Sequence, residues 1–149
     1  MKDCQCSSQS ILEQTRRSEH PDCIICHSMD ALGLGLNLQV NSRGEVVSEF
    51  DCREKYQSYP GILHGGIVSL ILDGAMTNCL FAQQIRAVTG ELLVRYRRPV
   101  QVNRRALVIA RKVKSAAPIH YLEAEIWQDE KLCAEARCKF MEYPAEEIE

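Results

Sequence analysis

The stretch Ile62-Leu63-His64-Gly65-Gly66-Ile67-Val68-Ser69-Leu70-Ile71-Leu72-Asp73-Gly74-Ala75-Met76-Thr77-Asn78-Cys79-Leu80-Phe81 decides how this 149-residue chain is read. Two glycines open a long apolar run with no strand alternation. Leu70, Leu72, Ala75, Met76 and Leu80 are good helix formers. The spacing predicts a helix over 66–84, about 28 Å long at 1.5 Å per residue. Its apolar residues lie nearly all round, so the helix is expected to be buried on most sides. Ser69, Asp73, Thr77 and Asn78 interrupt the run and leave it too polar to span a membrane.

Upstream, Leu34, Leu36, Leu38 and Val40 alternate with Gly35, Asn37 and Gln39, the period of a half-buried strand. Asn41-Ser42-Arg43-Gly44 signals a turn, and 45–50 reads as a returning strand, so 34–50 is expected to be a hairpin. Downstream, 88–96, 106–115, 120–128 and 131–141 read as strands, with Asp129-Glu130 as a tight turn between the last two. The order is hairpin, buried helix, antiparallel meander. One sheet covers such a helix on all sides only by curving about it. The expected architecture is therefore α+β, a curled antiparallel sheet wrapped around a long central helix. In this reading 1–30 is a polar, cysteine-rich extension with a short helix at 11–17, 31–143 is the domain, and 144–149 is a frayed acidic tail.

Net charge is −2, which gives no reason to expect nucleic acid or an anionic membrane as partner. Residues 1–17 are polar and lack the apolar core of a signal peptide, so a cytoplasmic protein is expected. The eight cysteines are then expected to be reduced thiols. Cys4-Gln5-Cys6 and Cys23-Ile24-Ile25-Cys26 raise a zinc question, since four thiolates close a tetrahedral site and His27 is a spare ligand. The alternative is free thiols packed near the hairpin, and neither a metal nor another cofactor is expected at the catalytic site.

Asp73 stands in the middle of the most apolar segment. A buried charge costs several kcal/mol unless compensated, and perturbed carboxylates tend to mark function. Gly65 and Gly66 lead into the helix, whose first N–H groups are unpaired and carry partial positive charge, an arrangement suited to a developing oxyanion. A plain glycine turn is the other reading, as is a solvent-facing or ion-paired Asp73. His64 is either an acid or base, or a ring that orients the loop. His20, His27 and His120 receive no role.

His64-Gly65-Gly66 with Asp73, followed by Thr89-Gly90-Glu91-Leu92-Leu93-Val94-Arg95-Tyr96-Arg97-Arg98-Pro99-Val100, resembles the PaaI-like, phenylacetate-pathway type of hotdog-fold acyl-CoA thioesterase. The likeness runs over roughly 23–141. It implies thioester hydrolysis on acyl-CoA without a metal, in homodimers or homotetramers with sites between subunits. Carried over, Asp73 matches the catalytic carboxylate and Gly65 the glycine whose N–H faces the thioester oxygen. Thr89 falls where some relatives place a hydroxyl. Ser58 stands where some carry asparagine, and Gly74 where many carry a glutamate. His64 and Gly66 complete the loop. Arg97 and Arg98, in a basic cluster with Arg95, Arg104 and Arg105, are candidates for the CoA phosphates, or a solvated strand end. Asp73 could act on water as general base or attack the carbonyl itself. The rival functions are a non-catalytic acyl-CoA binding protein and a hotdog acyl-CoA hydratase or dehydratase.

Overall fold

The computed structural model describes residues 2–27 and 33–144, with side chains from Ser8 onward. The chain runs α1 (Lys2–Glu19), β1 (Gln39–Val40), β2 (Val46–Asp51), a short turn of 3-10 helix (Glu54–Tyr56), α2 (Gly65–Phe81), β3 (Ala87–Tyr96), β4 (Arg105–Ala116), β5 (Ile119–Gln128) and β6 (Lys131–Glu142). The four strands after α2 lie within two residues of their expected bounds. The helix ends at Phe81, short of 84, because Gln84 adopts a φ of 57° and Ile85 N–H turns back to Leu80 O at 3.0 Å. The Asp129-Glu130 turn forms as expected, with φ of 50° and 61°. That is the left-handed backbone of a two-residue hairpin matched to strand twist. No helix among the described residues is long and apolar enough to cross a membrane.

All pairings are antiparallel and give one six-stranded sheet, β1-β2-β4-β5-β6-β3. The expectation of a sheet curled around the helix is corrected here. The sheet is open: β1 and β3 are its two edges and do not meet. The fold is α+β and hotdog-like, with α2 lying on one face. The sheet covers one side through Val108, Ala110, Leu122, Ala124, Ile126 and Phe140, all buried. The rest of the cover comes from α1, which packs on α2, and from the segment after it. Leu12 of α1 is fully buried and Ile25 nearly so. Ile25 lies so close to Gly74 of α2 that a Cβ there would stand 2.4 Å from its Cδ1.

The expected hairpin at 34–50 is present in burial but forms its hydrogen-bonded ladder only next to the turn. Leu36, Leu38 and Val40 are buried in alternation, yet only Gln39 and Val40 pair with β2. The preceding backbone finds other partners. Leu34 and Leu36 N–H donate to Ile24 O and Ile25 O at 2.7 and 2.9 Å. Val40 N–H donates to Gln9 Oε1 of α1 at 2.7 Å.

Candidate active site

Asp73 emerges from α2 between buried neighbours, Leu72 and Gly74, and is itself half-buried. Thr89 Oγ1 of β3 donates to its Oδ1 at 2.7 Å. Burial holds the Asp73 carboxyl above the usual aspartate range. The Thr89 hydrogen bond and the nearby His20 imidazole pull it partway back down, and the Cys23 sulfur adds to the rise. Cys138, beneath it on β6, has its thiol pushed up to about 12 by burial and by the Asp73 charge.

Thr89 reaches Asp73 through an irregularity in β3. The pairing of β3 with β6 slips between Thr89 and Glu91, leaving Gly90 as an extra residue. Such a bulge resets the side-chain parity of a strand. Leu92 and Val94 pack on the core, and strict alternation from them would turn Thr89 away from the helix. The bulge places Thr89 on the same side as Leu92. A Cβ on Gly90 would come within 3.2 Å of Lys139 O, so glycine suits the close approach.

The second group of residues sits at the start of α2. His64 is its N-cap, and its Nδ1 accepts the Gly66 N–H at 2.9 Å. His64 thereby satisfies one of the orphan donors of the first turn. Among the described residues, no hydrogen bond takes the N–H of Gly65. Tyr96, at the far end of β3, donates from its hydroxyl to Gly65 O at 2.9 Å and shares a 2.6 Å hydrogen bond with Ser69 Oγ. Ser58 lies in the exposed loop ahead of the helix, where its N–H donates to Ile62 O at 2.9 Å. Arg97 pairs with Glu135 at 2.6 Å, and Arg98 Nη1 donates to Leu132 O at 3.1 Å. Both arginines follow directly on Tyr96.

The expected residues therefore fall into two sets. Asp73 and Thr89 form one, and His64, Gly65 and Gly66 form the other, with Ser58 and the arginines on its flanks. Eight residues of helix put the sets about 12 Å apart. A carbonyl within hydrogen-bond reach of the Gly65 N–H lies beyond reach of the Asp73 carboxylate of the same chain. Sequence reasoning missed Tyr96, Ser69 and His20. Tyr96 had a signal, since it shares the helix-facing parity of Leu92 and Val94. His20 had one in its spacing ahead of Cys23 and Cys26.

α2 thus carries a half-buried carboxylate about two turns from a glycine-led N-terminus. The family model described as the Thioesterase superfamily matches residues 60–138, more than half of the chain. The chain belongs to that superfamily, and its resemblance to the PaaI type holds at the level of the fold. It is similar to the PaaI protein from the phenylacetic acid degradation operon of E. coli, at 17% identity over 91% of this chain and 96% of that one, with a TM-score of 0.77. A thioesterase superfamily protein superposes with a TM-score of 0.76 at 22% identity, over 80% of this chain, which spans 62% of that relative's length. A Streptococcus mutans protein solved bound to acetyl CoA superposes with a TM-score of 0.70 at 16% identity, over 78% of this chain and 95% of that one. No curated protein matches the chain.

Proposed function

We propose that this thioesterase-superfamily chain hydrolyses an acyl-CoA thioester at a site shared between two copies. The observation that carries the reading is Asp73, a half-buried carboxylate raised by burial and fixed by Thr89 on a largely apolar helix. A site for passive acyl binding gains nothing from such a group. The carboxylate, whose proton affinity burial raises, is the group that takes the proton. Water attacks the carbonyl carbon, its proton passes to Asp73, and the carbonyl oxygen gathers negative charge against the Gly65 N–H. The carbon–sulfur bond then breaks, the CoA thiolate leaves with the electron pair, and the proton on Asp73 returns to solvent or thiolate.

The 12 Å between the half-sites supports assembly across two chains. β3 is an edge strand with an unpaired side. Thr89 lies near one end and Tyr96 at the other. Antiparallel pairing of two β3 edges about a two-fold axis near Leu92 sets Thr89 and Asp73 beside the partner subunit's Tyr96 and Gly65. Both half-sites are then completed twice. Arg97 and Arg98, next to Tyr96, extend the same rim and suit the phosphates of CoA, the ligand class of the S. mutans relative. The six described cysteines are unpaired, which fits a reducing cytoplasm.

The test is thiol release from short, long, branched and aromatic acyl-CoAs by wild type and Asp73→Asn side by side. Hydrolysis of at least one class, falling by about a hundredfold or more in the variant, is expected. A folded wild-type protein that hydrolyses none of them, or an unimpaired variant, overturns the reading.

A further inference from the structure

We propose that His20, Cys23 and Cys26 form a binding site for one zinc-like divalent ion, beside the catalytic carboxylate and not part of it. The three side chains bring one nitrogen and two sulfurs within 4.8 Å of one another. Tetrahedral zinc, with bonds of about 2.0–2.3 Å, holds such donors roughly 3.5–3.8 Å apart. Side-chain rotation of roughly an ångström therefore closes the shell. A fourth position remains for water.

Four features of the surroundings favour a metal over three idle side chains. His20 Nδ1 is buried and has no hydrogen-bond partner. An imidazole nitrogen in that state lacks the compensation that burial normally demands. The ring is already held, edge-on to Phe81 with centroids 4.8 Å apart. Cys26 Sγ receives Asn78 Nδ2 at 3.8 Å, and Asn78 is 1% exposed, a buried donor placed behind a sulfur. The loop is closed by His27 N–H on Cys23 O at 3.0 Å and pinned through Ile24 and Ile25 to Leu34 and Leu36.

This ligand set differs from the four-thiolate zinc site that the sequence suggests. The side chains of Cys4 and Cys6 lie outside the described residues, and His20, not His27, joins Cys23 and Cys26. A Cys23–Cys26 disulfide is the competing fate of the pair, but it leaves His20 without a use. The site also ties the end of α1 to the loop whose Ile25 covers Gly74, so a bound ion fixes the N-terminal cover of α2.

The experiment titrates fully reduced, chelator-stripped, full-length protein with Co2+ and then Zn2+, reading the absorbance and the thermal midpoint. One equivalent of Co2+ per chain is expected, with a thiolate charge-transfer band in the near ultraviolet and intense visible bands of tetrahedral cobalt. Zn2+ should displace it and raise the midpoint. Cys23→Ser and Cys26→Ser abolish the charge-transfer band or halve it and lose the midpoint rise. His20→Ala weakens binding by about tenfold or more. Cys4→Ser/Cys6→Ser binds as wild type. No cobalt uptake by reduced wild type, uptake indifferent to His20, or uptake that needs Cys4 and Cys6 overturns the proposal. None of these readouts uses hydrolysis, so failure here leaves the thioesterase reading standing.

Discussion

Two opposed effects act on the Asp73 carboxyl. Burial raises its carboxyl, and the Thr89 hydroxyl at 2.7 Å holds it down. In the proposed mechanism Asp73 must be ionised to act, so the rate is expected to fall as pH drops through its folded-state pKa, above the ordinary aspartate value. Thr89→Val keeps the β-branched shape and removes only the opposing hydrogen bond. The acid limb of kcat/KM is expected to move to higher pH, and the plateau to fall by about tenfold, the worth of one hydrogen bond to a charged group. An unmoved limb would detach Thr89 from the base. Gly65 allows an equally clean deletion. It is the first residue of α2, where proline is well tolerated, and His64 before it has φ −58° and ψ 132°, which proline accepts. The nearest atoms to a Cβ there belong to Tyr96, at 3.5 Å and beyond, ordinary van der Waals contact. Gly65→Pro therefore removes the N–H and spares the helix. A loss of about 100- to 1,000-fold in kcat with an unchanged thermal midpoint is expected if that N–H faces the oxyanion.

Among the elements, what the sequence made legible follows from period and punctuation. β5 alternates and α2 does not, and Arg97-Arg98-Pro99, Ala117-Pro118 and Asp129-Glu130 bound the strands around β5, so types and near-bounds could be read directly. The bulge at Gly90 could not, because a one-residue slip changes pairing without changing composition. Thr89 was therefore placed by resemblance and not by parity. The cover of α2 was lost in the same way. Leu12 and Ile25 sit in a polar, cysteine-rich stretch whose average hides two core residues. Gly74 shows the consequence. Alanine is worth about 1 kcal/mol over glycine in a helix, but its Cβ would press into Ile25 Cδ1 and Cγ2, at 2.4 and 2.8 Å. Gly74→Ala is expected to destabilise the chain by about 1–3 kcal/mol, as overpacking does. In an Ile25→Ala background the same change should cost nothing or stabilise. Urea unfolding of the four proteins of that cycle measures the coupling. Equal costs in both backgrounds would mean that Ile25 does not set the limit.

For the whole molecule, the sequence could display Gly65 and Asp73 as neighbours in one motif, eight positions apart. About 12 Å of α2 separates them, and the proposed site therefore pairs each with its counterpart across two chains. The distinction can be tested by mixing two inactive proteins. Asp73→Asn retains the Gly65 N–H, and Gly65→Pro retains the Asp73 carboxylate. A mixed dimer then holds one site with both defects and one with neither. Random exchange at equal concentrations makes half of the dimers mixed, each with one intact site of two, so activity should return to about a quarter of wild type. Recovery requires subunit exchange, which mass spectrometry of differently labelled chains reports independently. If exchange is complete and no activity returns, both groups act within one chain, and the pairing of β3 edges is wrong in register or in kind. If Gly65→Pro is active before mixing, the oxyanion assignment falls while the shared site survives. The two failures separate what α2 contributes to the chemistry from how two copies of it are brought together.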